Sequence, residues 1–481
     1  MEKKKILFAA SEAAPFIKSG GLGDVIGSLP KAVSGKNCEV AVVLPLHEGV
    51  SEKVRKKLVP ITHIFIPLAW RSQYCGIFKY EEKSVTWYFI DNEYYFKRGN
   101  ALYGCYDDAE RFAFFSTAVL EILPYIDYFP DVIHSHDWQT ALVPIYYKLK
   151  YYMRPGYESI KTVFTIHNIE YQGIFDKGIV ENVLGLPVEE FDNGFLEFDG
   201  RVNLMKAAVT CSDSVTTVSP SYAEEIKTPE YAHGLHDILR YEEGKLCGII
   251  NGIDQKLYDP AKDKKIFFNY SQKDMSGKAQ NKEELQALVN LPKNSDIPVI
   301  GMVTRLVSHK GLDLVSCIID ELLEDDVQLV IVGTGDWKYE QFLRDKQWQY
   351  PFKLSVNIAF NSELAQKIYA GSDMFLMPSK SEPCGLAQMI ALRYGTIPIV
   401  RKTGGLGDSI SRYDAESGEG NGFVFSDYNA QEMLGVIRAA CDCYRDKEKW
   451  TKLIENGMNV DFSWKKSAKE YNKLYDALMG E

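Results

Sequence analysis

A chain of 481 residues is too long for a single hydrophobic core and predicts two domains of ordinary size. Its 55 basic and 66 acidic residues leave a net charge of −11, which argues against nucleic acid or an anionic membrane as partner, so an anionic substrate has to be met by local cations. Nine cysteines without a paired Cys-x-x-Cys spacing read as reduced thiols. No apolar run approaches the roughly 18 residues of a membrane span, and a cytoplasmic protein is expected.

Basic Lys3, Lys4 and Lys5 precede an apolar run at 6–10 that Ser11-Glu12 closes. About five residues is short of the roughly 7–15 of a secretory core, so the run reads as a first strand. After it comes Lys18-Ser19-Gly20-Gly21-Leu22-Gly23-Asp24, and the pattern returns as Lys402-Thr403-Gly404-Gly405-Leu406-Gly407-Asp408 behind the apolar run 397–400. Each copy is a strand, a glycine loop and a helix start. Glycines let backbone approach a ligand, free N–H groups at a helix start supply about half a positive charge, and the lysine adds a full one. One such loop is often only a tight turn. One in each half suits a nucleotide cleft between two similar domains.

A helix over 24–33 and a near-continuous apolar strand over 39–44 complete a β–α–β unit of the kind found in parallel sheets covered on both faces. Strands at 61–68 and 84–90 follow. The loop 94–103 then collects aromatic and basic side chains, among them Tyr95, Arg98 and Tyr103, whose rings could stack on sugars or simply pack. An amphipathic helix at 108–123 leads to a strand at 131–134 and to His134-Ser135-His136-Asp137-Trp138. His134 and His136 would share a face, which is half of a metal site. With nothing nearby to complete it, no metal is expected, and polar residues at the end of a parallel strand fit a ligand crevice better. The strand at 162–166 repeats the arrangement with His167-Asn168.

A helix at 205–210, a strand at 214–218, a helix at 220–226 and a strand at 246–250 run on to Asn251-Gly252, and the polar stretch 259–276 suits an interdomain connection. A second set opens with a strand at 297–304 that ends at Arg305, with Lys310-Gly311 behind it. Strands at 327–332, 354–360, 373–377 and 396–400 alternate with helices, which predicts a second doubly wound sheet. From about 431 onward the pattern is helical, with Trp450, Leu453, Ile454, Phe462, Trp464, Tyr471 and Leu474 on the apolar faces. Cys441 and Cys443 form one Cys-x-Cys without the second pair a metal site would need.

Together these motifs resemble the bacterial glycogen synthase and plant starch synthase family over nearly the whole chain. The matching residues run from Lys18 to Asp24, Arg98 to Tyr103, His134 to Trp138, Thr165 to Asn168 with Tyr171-Gln172-Gly173, Thr217 to Ile226, Gly234 to Asp254, Arg305 to Gly311, Glu382-Pro383-Cys384-Gly385-Leu386 and Thr403 to Asp408. Small departures are Gln139, His309 and Lys380-Ser381. The resemblance implies an α/β fold of two Rossmann-like doubly wound domains facing across a cleft (GT-B type). It places an acceptor-side domain over 1–245, a nucleotide-sugar domain over 246–455, and a terminal helix within 456–481 that crosses back to the first. The implied reaction moves glucose from ADP-glucose, or in some members UDP-glucose, to the non-reducing end of an α-1,4-glucan with retention, and it uses no cofactor.

By the same match, Arg305 and Lys310 sit on the leaving phosphates, and Lys18 with Gly20-Gly21 is also on the nucleotide sugar, where fixed cations and N–H groups oppose developing negative charge. Glu382, set among Pro383, Cys384, Gly385 and Leu386, contacts the donor sugar or stabilises an oxocarbenium ion, unless it only complements a helix dipole. It is not expected to be a covalent nucleophile, because no second carboxylate is apparent at the roughly 5 Å that retaining glycosidases use. His167 and Asp137, with Asn168 and Asn251, orient the sugar; a neutral histidine can donate to a hydroxyl. Asp24 binds sugar or caps a helix, Thr403, Gly404 and Gly405 meet the nucleotide, and Tyr95, Arg98 and Tyr103 lie on the acceptor side. A glucan phosphorylase with a pyridoxal phosphate lysine and a silent glucan-binding protein are the competing readings. The presence of Lys18, Arg305, Lys310 and Glu382 favours the active transferase.

Overall fold

The computed structural model describes residues 3–82, 84–99 and 101–480 and divides into two compact units. One comprises the chain up to Gly252 together with the segment from Trp464 onward; the other is Ile253–Ser463. Asn100 of the aromatic loop lies outside the described residues.

In the first unit, β1 (Lys4–Ala9), β2 (Cys38–Pro45), β3 (Val59–Leu68), β4 (Arg71–Glu82), β5 (Val85–Asp91), β6 (Val132–His136) and β7 (Lys161–Ile166) are followed by three short strands. These are β8 (Ile174–Phe175), β9 (Glu197–Phe198) and β10 (Arg201–Asn203), which form a small sheet of their own, and β11 (Ser214–Thr217) and β12 (Leu246–Gly248) come after them. The main sheet has the order β12-β11-β7-β6-β1-β2-β5-β4-β3. It is parallel from β12 to β5, and β4 and β3 join antiparallel. The near-continuous apolar run of β2 is buried on both faces, as a parallel strand under helices requires.

The structure differs from the sequence reading at four places. The helix Gly21–Val33 starts inside the glycine loop, three residues before the expected start at 24, and Asp24 lies in its first turn. The helix Asp108–Glu121 is not amphipathic: every residue but Glu110 and Glu121 is buried. The stretch 259–276 is not a connection between domains but lies inside the second unit, where Tyr270 is buried and its hydroxyl donates to Tyr394 O at 2.8 Å, while the Tyr394 hydroxyl donates to Asp263 Oδ2 at 2.6 Å. The chain passes between units at Gly252, so β12, expected at the start of the second domain, belongs to the first sheet.

The second unit holds β13 (Val299–Val303), β14 (Gln328–Gly333), β15 (Leu354–Ile358), β16 (Met374–Met377), β17 (Ile397–Arg401) and β18 (Phe423–Phe425) in the order β15-β14-β13-β16-β17-β18, all parallel. The chain winds outward from β13 in one direction and resumes at β16 on the other side. Such reversals open a crevice at the carboxyl ends of the two central strands. The first unit has the same reversal between β1 and β6.

The helix Trp464–Met479 closes the first unit. Trp464, Ala468, Tyr471 and Tyr475, spaced four, three and four residues apart, form one buried face in the core that also holds Ile26, Leu29 and Val33 of the helix Gly21–Val33. Ser467 Oγ donates to Ile250 O at 2.6 Å. Among the described residues, no helix is long and apolar enough to cross a membrane.

Candidate active site

In the second unit, a cavity of about 160 Å³ opens at the switch point between β13 and β16, lined by Thr304, Arg305, Lys310, Ser379, Glu382 and Gly385 among others. Arg305 stands two residues beyond β13. Lys310 is brought in by Gly311, which has φ of +80° and no room for a side chain, since a Cβ would fall 2.2 Å from Pro378 O at the end of β16. The loop after β16 carries Glu382, whose Oε2 accepts from Lys310 Nζ at 2.6 Å and from Ser379 Oγ at 2.9 Å. Arg305 is exposed and donates to His309 Nε2 at 3.2 Å, with no carboxylate partner among the described residues. The cavity thus carries two cations against one carboxylate. Glu382 lies five residues before the helix Ala387–Arg393, so complementing a helix dipole is not its role.

The loop that holds Glu382 is clamped from behind. Gly404 and Gly405 pack directly on it, with Gly405 N donating to Glu382 O at 3.1 Å. Gln388 Nε2 donates to Cys384 O at 3.0 Å, Gly385 O at 2.8 Å and Ser409 Oγ at 3.0 Å. Cys384, Thr403, Gly404 and Gly405 are buried, and Leu386 lines the cavity. The second glycine loop therefore supports the carboxylate segment.

In the first unit, the carboxyl ends of β1, β6 and β7 lie side by side and present Glu12, Asp137 and His167. The sequence shows Glu12 only as the end of an apolar run, although an acid between a strand and a glycine loop is the group that would collect the loop's N–H donors. Its Oε2 accepts from Ser19 N at 2.5 Å and Ser19 Oγ at 2.8 Å, and its Oε1 from Gly23 N at 3.2 Å. Burial raises its pKa against those hydrogen bonds. With the loop so held, Lys18 Nζ donates to Asp24 Oδ1 at 2.7 Å, both half-exposed. Asp24 pairs with the lysine and caps nothing. Gly20 and Gly21 face open space.

Asp137 holds φ of +58°, a conformation that L side chains adopt at a cost and that clusters at functional sites. Its Oδ1 accepts from His167 N at 2.7 Å, and burial pushes its carboxyl up to about 7. Burial drives His167 down to about 3, so its ring is neutral. Asn168 Oδ1 accepts from Glu170 N at 3.0 Å within its turn, and Asn251 is buried with Oδ1 lacking a partner among the described residues. His134 and His136 do share a face, but His134 meets the Tyr475 hydroxyl at 2.8 Å through Nδ1 and Thr165 Oγ1 at 2.6 Å through Nε2, which leaves neither nitrogen for a metal.

The aromatic loop divides. Tyr95 is fully buried with its hydroxyl on Glu110 Oε1 at 2.5 Å, so it is a core residue and not an acceptor contact. Arg98 NH2 donates to Asp107 Oδ2 at 2.6 Å. Tyr103 reaches the carboxyl end of β1, its hydroxyl 2.7 Å from Ser11 Oγ.

A family model described as the starch synthase catalytic domain matches residues 5–241, and one described as glycosyl transferases group 1 matches residues 285–460. Glycogen synthases from Desulforamulus reducens and from a strain of Bacillus cereus are each 50% identical, covering 99% and 98% of this chain and 99% of each relative. One from Clostridioides difficile is 48% identical over 98% of this chain and 99% of its own. Among solved structures, the catalytic domain of starch synthase IV from Arabidopsis thaliana, bound to ADP and acarbose, superposes with a TM-score of 0.92 at 35% identity over 100% of both chains. Sucrose-phosphate synthase from Thermosynechococcus elongatus, at 15% identity and a TM-score of 0.63 over 99% of this chain and 100% of its own, shares the fold alone.

Two doubly wound units with cations and carboxylates at their switch points define a two-domain α/β hexosyltransferase of the GT-B fold. The chain belongs to the bacterial glycogen synthase and plant starch synthase family.

Proposed function

We propose that this chain transfers glucose from ADP-glucose to the non-reducing end of an α-1,4-glucan, with retention at the anomeric carbon, in cytoplasmic glycogen biosynthesis. The observation that carries the proposal is the cavity between β13 and β16, where Arg305 and Lys310 stand beside Glu382. ADP-glucose is preferred over UDP-glucose because the starch synthase at 35% identity is bound to ADP. The acarbose in that same structure supports an α-glucan acceptor. Nine cysteines, none in a disulfide among the described residues, agree with a reducing compartment.

The chemistry follows from charge. As the bond from the glucose anomeric carbon to the diphosphate breaks, negative charge grows on the leaving ADP and positive charge on the sugar ring. Arg305, without a carboxylate partner among the described residues, is the cation for the diphosphate. Lys310 gives one N–H to Glu382 and retains two more for phosphate oxygens. Glu382 thereby orients Lys310 and offers its carboxylate to the cationic ring. The acceptor hydroxyl enters on the face the phosphate leaves, and the phosphate takes its proton. We assign Lys18, Gly20 and Gly21 to donor contacts, Asp137, His167, Asn168 and Asn251 to the transferred glucose, and Arg98 and Tyr103 to the acceptor side. Asp24 fixes Lys18, while Cys384, Gly385, Leu386, Thr403, Gly404 and Gly405 shape the Glu382 segment.

The test is release of nucleoside diphosphate from ADP-glucose and UDP-glucose, each with and without glycogen, for wild type, Glu382→Ala and Lys18→Ala. Glycogen-dependent release from ADP-glucose is expected, falling roughly 10²–10³-fold in each variant on the precedent of oxyanion-hole donors. No release from either donor, with glycogen still bound, would leave a glucan-binding protein without transferase activity.

A further inference from the structure

We propose that His136 is a positioning residue that holds His167 in the tautomer carrying its proton on Nδ1. The role rests on the reading above in which His167 meets the transferred glucose.

His136 Nδ1 and His167 Nε2 lie 3.0 Å apart. Burial keeps both rings neutral, so each carries one N–H and one lone pair, and one ring must donate to the other. Were His167 the donor through Nε2, the single proton of His136 would sit on its own Nε2, which is buried and has no partner among the described residues. With His136 donating through Nδ1, what remains at that Nε2 is a lone pair. Orphaned N–H groups are rarer in folded proteins than under-satisfied acceptors, so the second arrangement is favoured.

The ring of His136 is held for this task. It stacks on Phe8 at 5.7 Å between centroids and on His134 at 4.2 Å. His134 is in turn fixed at both nitrogens by Tyr475 and Thr165, and the backbone N–H of His136 donates to Thr140 Oγ1 at 2.6 Å. With its Nε2 accepting, His167 carries its proton on Nδ1. That nitrogen has no partner among the described residues and is not among the buried atoms lacking one, so it presents a fixed N–H donor to a substrate oxygen.

Wild-type protein with ¹⁵N-labelled histidine gives a direct readout: long-range ¹H–¹⁵N spectra are expected to show His167 protonated at Nδ1 and not at Nε2. His136→Phe keeps the stacking and removes the donor, whereas His136→Asn restores an N–H near the place of Nδ1. On the scale seen for partners that orient metal-bound histidines, the Phe variant should lose roughly 10–100-fold in kcat with donor KM changed less than about threefold, and the Asn variant should stay within about threefold of wild type in both. A wild-type His167 protonated at Nε2 overturns the proposal whatever the activity. An Asn variant as impaired as the Phe variant also overturns it. Unimpaired transfer by His167→Ala would remove the sugar contact itself, and with it the purpose of the positioning, while the spectra still report the tautomer.

Discussion

The two glycine loops look alike in sequence and differ at the level of single atoms. A Cβ on Gly405 would lie 2.1 Å from Cys384 O, and one on Gly404 would lie 2.1 Å from Glu382 O. At Gly21 an added Cβ meets nothing within 4 Å. Packing therefore demands the downstream pair, while at Gly21 neither space nor backbone conformation calls for glycine. Gly405→Ala is expected to lower stability by about 1–3 kcal/mol, as overpacking does. Gly21→Ala, in the first turn of a helix, should be neutral or more stable by up to about 1 kcal/mol. If Gly21 is kept open for the donor, that stable variant should still lose more than about tenfold in turnover, the kind of cost a displaced hydrogen-bond donor carries. Thermal melts beside the diphosphate-release assay separate the two loops, and full turnover in Gly21→Ala would end the donor assignment.

Elements were legible where their signal was local. The runs of β2, β13 and β14, and residues 6–9 of β1, are apolar almost throughout, as strands buried on both faces must be. β4 was passed over because Arg-Ser-Gln-Tyr-Cys-Gly-Ile-Phe-Lys-Tyr-Glu-Glu mixes exposed polar residues into a half-covered antiparallel strand, and β18 because three residues at a sheet edge make no pattern. The site was legible in kind but not in its pairings. Lys310 and Glu382 are 72 residues apart, and neither composition nor periodicity joins them. The support of the Glu382 loop was equally hidden, since Gln388 reads as one polar residue in a short helix. Its side-chain N–H groups serve two loop carbonyls and Ser409, so Gln388→Ala should strip three hydrogen bonds from the loop's support at about 1–3 kcal/mol. A fall in kcat larger than any change in donor KM is expected alongside, and unchanged kcat and melting temperature would show that the loop holds itself.

At the scale of the whole molecule, titration sets the two units apart. Burial lowers His47 to about 4 and His167 to about 3, and holds His134 and His136 well below the ordinary 6.5. All four belong to the first unit. The native state keeps them neutral while the unfolded chain protonates them below about 6.5, so the unfolded state binds more protons and stability falls as pH drops from there toward the native values. Asp137 works the other way: with its carboxyl raised from 3.8 to about 7, the native state binds the extra proton between those values, and its contribution grows as pH falls through 7. Burial raises Glu12 and Asp91 of the same unit in the same sense, and four histidines against three carboxyls leave the histidines in control, at about 1.4 kcal/mol per pH unit for each uncompensated proton. Hydrogen exchange at pH 7.5 and pH 5 should therefore find the opening free energy of the sheet around β1, β6 and β7 reduced, with the sheet from β13 to β18 little changed. Asp137→Asn removes one opposing group, so the fall in the first unit should steepen. An equal loss in both units would mean that the buried histidines do not govern acid stability.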